Sequence, residues 1–135
     1  MIRLDKAHRA KLAKLIIQRD AECWETYEEI LGISFPPNGI HVHHVIPVGS
    51  GGEDIAENLI SLDPKVHFYT FHNGWGSVDK EWQRKAQEYL ESEAVRTWDT
   101  THEESLKALY RTAETTRIQK IRKGCIPKKK PGLIY

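Results

Sequence analysis

Histidine is the residue type whose placement invites a chemical reading. Five of the seven histidines fall within the 32 residues from His41 to His72. His43 and His44 are adjacent, and His67 and His72 follow after a stretch holding Gly51, Gly52 and Asn58. Imidazole works as a base near neutral pH, and in its neutral form it ligates divalent cations. Hydrolysis of a phosphodiester needs both jobs done: a base that activates water, and a cation that neutralises charge on the phosphate and the leaving oxygen. Neighbouring side chains on a strand point to opposite faces. His43 and His44 therefore suit one ligand and one base better than two ligands of one metal. Each feature alone has an ordinary explanation. A histidine is commonly a surface or core residue, Gly51-Gly52 a turn, and Asn58 a loop or cap residue. Their ordered combination carries the argument.

Several elements must place these residues. Asp5 is an N-cap for a helix in which Ala10, Ala13, Ile16 and Ile17 recur at helical spacing. Trp24, Tyr27, Ile30 and Leu31 form a second helical pattern stopped by Gly32. Ile33–Phe35 and Ile40–Val45 read as short strands around the turn signal Pro36-Pro37-Asn38-Gly39. Pro47–Asp54, with three glycines, is a loop, and Leu59–Leu62 is a strand. Asp63-Pro64 starts a helix that carries His67 and His72 and ends near Asn73-Gly74. Ser77 or Asp79 starts another, running to about Arg96 and burying Trp82, Ala86, Tyr89 and Leu90. Thr101 with Glu104 forms a capping box for a last helix, which buries Leu106, Leu109, Tyr110 and Ala113 and stops at Gly124. His8 and His102 are expected on exposed helix positions.

Composition sets outer limits. The chain has 135 residues, 20 Lys plus Arg, 19 Asp plus Glu and a formal net charge of +1. That length fits one domain, and the total charge alone argues against a simple polycation. The total hides segregation. Residues 1–19 carry six basic side chains against the single acid Asp5, residues 20–64 hold nine acids and no Lys or Arg, and residues 115–135 carry seven basic side chains and no acid. Basic ends of this kind suit phosphate contacts. Cys23 and Cys125 are far apart, which suits a reducing compartment over a disulfide scaffold. No apolar run approaches a membrane span, and MIRLDKAHRAK lacks an apolar signal core. The expectation is a cytoplasmic protein without membrane partners.

The segment HHVIPVGSGGEDIAENLISLDPKVHFYTFH resembles the HNH nuclease motif, a ββα-metal (His-Me finger) site. Gln18-Arg19-Asp20-Ala21-Glu22-Cys23 resembles the lead-in of phage and bacterial members. The likeness covers about residues 15–90 and is best to small stand-alone proteins of phages and mobile elements. It implies an α+β fold, with a two-stranded antiparallel hairpin and a helix packed among further helices. It implies a single nuclease domain over residues 1–124, with the motif core at 40–74, helical flanks at 5–31 and 77–123, and a basic mobile tail at 125–135. By resemblance, His44 is the general base and Asn58 fixes the loop that orients it. His43 and His67 are metal ligands, and His72 ligates metal or contacts phosphate. The family's usual interval between these last two is four residues and here it is five, which turns a helix about 500° instead of about 400°.

Many relatives also hold a structural zinc between two Cys-x-x-Cys pairs. Here Cys23 is followed by Thr26, and Asp63 and Val66 fill the other two positions, so no structural zinc is expected. Cys23 then reads as a small buried apolar side chain. The implied cofactor is one divalent ion, Mg, Mn, Ni or Zn. The implied partner is DNA, with a phage or host protein as a further possibility. Lys6, Arg9, Lys11, Lys14 and Arg19 near the start, and Lys120, Arg122 and Lys123 near the end, are the expected phosphate contacts. The resemblance predicts hydrolysis leaving a 5′-phosphate. Two other readings remain. A non-catalytic module of the same fold would bind DNA or protein without cutting. A structural zinc finger would need four tight ligands and would unfold with a chelator.

Overall fold

Asp5 begins the first helix as expected, its carboxylate accepting the backbone N–H of His8. A cap of this kind contributes about 1 kcal/mol. The structure is a computed structural model that describes residues 2–36, 39–66 and 79–122. Helix α1 spans Lys6–Glu22 and α2 spans Trp24–Leu31, ending at Gly32 in the left-handed region with φ 70°. Strand β1 (His41–His44) pairs antiparallel with β2 (Leu59–Leu62), and the register sets His43 opposite Ile60 and His44 opposite Leu59. A short turn of helix, α3 (Pro64–Val66), follows, and Asp63 caps it by accepting the N–H of Lys65. Then come α4 (Lys80–Leu90), α5 (Glu93–Thr101) and α6 (Glu103–Arg122). The fold is α+β, mostly helical, with one two-stranded antiparallel sheet among the described residues.

Three expectations give way to tertiary contacts. Ile33–Phe35 is not a strand: the Phe35 N–H is taken by the Glu28 carboxylate at 2.9 Å, and its ring sits edge-on to Tyr27. The helix starting at Asp79 does not run to Arg96. It breaks at Glu91–Ser92, where the Ser92 hydroxyl donates to the Tyr89 carbonyl at 2.5 Å, and α5 restarts at Glu93 and buries Val95 and Trp98. Thr101 belongs to α5 and donates its hydroxyl to Thr97, so the next break falls at His102. His102 is half-buried, stacked on Trp98 and bonded to its carbonyl, and His8 is buried against Asp5. Neither histidine is an exposed helix residue.

Two apolar clusters hold the sheet between them. One joins α2, α4 and α5 to Val45, Ile60 and Leu62, and it includes Cys23. The other joins Leu4 and α1 to Ala56, Leu59 and α6. Leu15 packs against both.

A buried polar network ties β2 to α1. Arg19 is fully buried and donates to Asp20 at 3.0 Å, to the Ala56 carbonyl at 2.8 Å and to the Leu59 carbonyl at 2.5 Å. Asp20 accepts the Ser61 N–H at 2.8 Å and the Tyr89 hydroxyl at 2.6 Å, and Tyr27 donates to the Ser61 carbonyl at 2.5 Å. Backbone groups of Leu59 and Ser61 are thereby satisfied by side chains instead of a third strand, closing an edge that would otherwise stay open. Burial would lower the Arg19 pKa; the charges of Asp20 and Asp99 outweigh it and hold the guanidinium charged.

Candidate active site

Residues 45–58 form the loop between the two strands, and Asn58 closes it. Its Oδ1 accepts the Ile46 N–H at 2.8 Å, and its Nδ2 donates to the carbonyls of Ile46 and Glu53, each at 3.1 Å. Asn58 is buried, so these bonds are shielded from water. Gly52 permits the closure. A Cβ there would lie 1.7 Å from the Ile46 carbonyl oxygen, so no other residue fits this approach of loop to strand.

The loop delivers Asp54 to His44. His44 Nε2 lies 2.6 Å from Asp54 Oδ1, and the two side chains are 25% and 6% exposed. Burial would push the Asp54 pKa up. The hydrogen bonds from His44 and the Leu4 N–H, with the charges of His44 and Arg3, outweigh it and hold the carboxyl below its ordinary range. His43, on the other face of β1, is buried. His41 is exposed and shares the border of a cleft with His44, so it does not follow His43 inward.

That cleft has a volume of about 490 Å³ and runs between α1 and β1. Ala10, Ala13, Ile17 and Val42 line it, His44 and Asp54 stand on one side, and Lys6 and Arg9 on another. The basic residues of α1 thus divide. Lys6 and Arg9 border the His44 cleft. Lys11 and Lys14 are exposed along a separate groove between α1 and α6. Arg19 must be removed from the expected phosphate contacts: it is fully buried and its donors are committed to Asp20, Ala56 and Leu59. Arg122 is exposed near the end of α6, whereas the side chain of Lys120 and all of Lys123 lie outside the described residues.

The structure places His43 and His44 on opposite faces of β1, His44 toward the cleft and His43 buried, next to the loop that Asn58 closes. His67 and His72 lie outside the described residues, as does the tail. Among the described residues, no group of three His, Cys, Asp or Glu side chains stands placed to hold a metal ion. Of the three expected ligands only His43 lies among the described residues, and it offers one imidazole of the type that suits a divalent cation.

Sequence reasoning missed Asp54 and Arg3. Asp54 offered one signal, an acid in the glycine-bearing loop ahead of Asn58. Arg3 offered none, since its partners Gly52 and Val48 are 49 and 45 residues away. No helix among the described residues is long and apolar enough to cross a membrane. Comparison with protein-family models, with curated proteins and with solved structures finds no match for this chain.

Proposed function

We propose that this chain is a metal-dependent DNA endonuclease of the HNH, ββα-metal type that hydrolyses phosphodiester bonds. The observation that carries the reading is the His44–Asp54 pair at 2.6 Å, set on the edge of a cleft whose other rim holds Lys6 and Arg9. A buried carboxylate beside a half-exposed imidazole is the pairing that prepares a histidine to accept a proton. His44 acts as general base, taking a proton from water with the ring nitrogen that Asp54 does not engage. Asn58 keeps the loop closed so that this pairing persists. Lys6 and Arg9 hold flanking phosphates by charge, without reading sequence. A divalent ion held by His43 with His67 and His72 would neutralise charge on the phosphate and the leaving 3′-oxygen.

Cleavage of supercoiled plasmid across Mg²⁺, Mn²⁺, Ni²⁺ and Zn²⁺, with His44→Ala beside the wild type, tests the reading. The wild type cuts with at least one ion and stops on chelation. His44→Ala loses roughly 10²–10⁴ in rate, the usual contribution of a positioned base, while DNA retardation stays the same. Retardation without cutting in either protein would identify a non-catalytic DNA-binding module instead.

A further inference from the structure

We propose that Asp54 is the positioning residue of His44, and that the segment Ile2–Leu4 ahead of α1 is the strap that holds Asp54 in place. The inference rests on the nuclease reading for its catalytic meaning, but its geometry stands apart from it. Five hydrogen bonds and one ion pair lock the strap to the loop. The Leu4 N–H donates to Asp54 Oδ2 at 2.8 Å, and the Asp54 N–H donates back to the Ile2 carbonyl at 3.0 Å. The Ile2 N–H donates to the Glu53 carboxylate at 3.0 Å. Arg3 donates to the carbonyls of Gly52 and Val48 and brings its charge to 4.0 Å from Asp54 Oδ1. Leu4 anchors the strap in the cluster shared by α1 and α6.

The consequence for His44 is a fixed tautomer. An ionised carboxylate only accepts hydrogen bonds. Asp54 spends Oδ2 on the Leu4 amide and Oδ1 on His44 Nε2, so Nε2 carries the hydrogen. Nδ1 then keeps its lone pair, which is the state a base needs before it meets water. The carboxylate does not touch the reacting atoms. It acts through the ring, and the strap acts through the carboxylate. A segment some 50 residues away in sequence from the glycine loop therefore takes part in setting the base.

The test uses the full chain. Long-range ¹H–¹⁵N imidazole spectra without added metal report the His44 tautomer directly, and plasmid cleavage reports kcat and KM. The wild type shows His44 protonated on Nε2. In Asp54→Asn, whose amide can donate to Nε2, His44 leaves that single state. Its kcat falls roughly 10- to 100-fold, part of the ~10²–10⁴ a positioned base contributes, with KM for DNA unchanged within about twofold. Asp54→Glu restores part of both. Arg3→Ala keeps the carboxylate and loosens its strap, so it moves both readouts the same way by a smaller amount, and it decides the matter if Asp54→Asn does not fold. An unchanged His44 tautomer in the folded variants, or an Nδ1–H wild type, overturns the proposal while leaving cleavage untouched. A wild type that shows the predicted tautomer shift with Asp54→Asn but never cuts DNA supports the strap and sinks the nuclease.

Discussion

Asp99 titrates differently in the folded and the unfolded chain. Its pKa is pushed up from 3.8 to about 6, chiefly by burial; Arg19 opposes this, and the charges of Glu57 and Asp20 add to it. Its Oδ1 lies 3.8 Å from Arg19 Nη1, too far for a hydrogen bond. A carboxyl raised in the folded state favours folding fully below its unfolded value. That contribution is lost as pH rises through the folded value. Across pH 4 to 7, wild type should lose stability relative to Asp99→Asn, which cannot ionise. Thermal melts of the two proteins should diverge over that window in favour of the variant and run parallel above it. A Tm difference independent of pH would show that Asp99 titrates normally. Arg19, beside it, shows what sequence conceals at this scale. Its position in a basic helix reads as a solvated cation, and only the fold reveals that the Ala56 and Leu59 carbonyls need it. His44 and Asn58 could be nominated from sequence because type, spacing and order within one segment mark them, and their catalytic roles stay part of the proposal. Asp54 and Arg3 could not be, because their roles exist only once the chain has closed on itself.

The strand-connecting loop is the element on which the site depends. Its shape follows from Asn58 bonds and from Gly52 lying against the Ile46 carbonyl. Gly49, in the same loop, has open space around its Cβ position and no left-handed φ. The pair makes a controlled comparison. Gly52→Ala drives a methyl into backbone that cannot yield and should cost about 1–3 kcal/mol, whereas Gly49→Ala should be close to neutral in urea unfolding. Equal losses at the two sites would mean that the loop tolerates displacement and that Gly52 does not set its shape. Elements fixed by local chemistry were legible: Asp5, Asp63 and Asp79 cap the helices they precede. Elements fixed from a distance were not. Glu28 decides that Ile33–Phe35 stays out of the sheet, and the packing of Val95 and Trp98 decides that the helix breaks at Ser92.

At the scale of the whole molecule, a net charge of +1 conceals an arrangement the fold makes specific. The basic α1 packs across the sheet and presents its cations on two flanks. Lys6 and Arg9 stand over the cleft that holds His44, and Lys11 and Lys14 face the α6 groove. Arg19, at the far end, is removed to the interior. A phosphate backbone entering the cleft would therefore meet two of the five cations of this helix that sequence nominates. Each phosphate contact contributes about 0.9 to the slope of log affinity against log salt. Neutralising Lys6 and Arg9 together should lower that slope by about 2 and raise KM for cleavage. Neutralising Lys11 and Lys14 together should leave KM nearly unchanged. DNA retardation over a salt series, run beside cleavage kinetics for both double variants, distinguishes the flanks. If the Lys11 and Lys14 pair proved equal to the Lys6 and Arg9 pair in both readouts, DNA would be approaching along the α1–α6 groove and the cleft at His44 would not be its path.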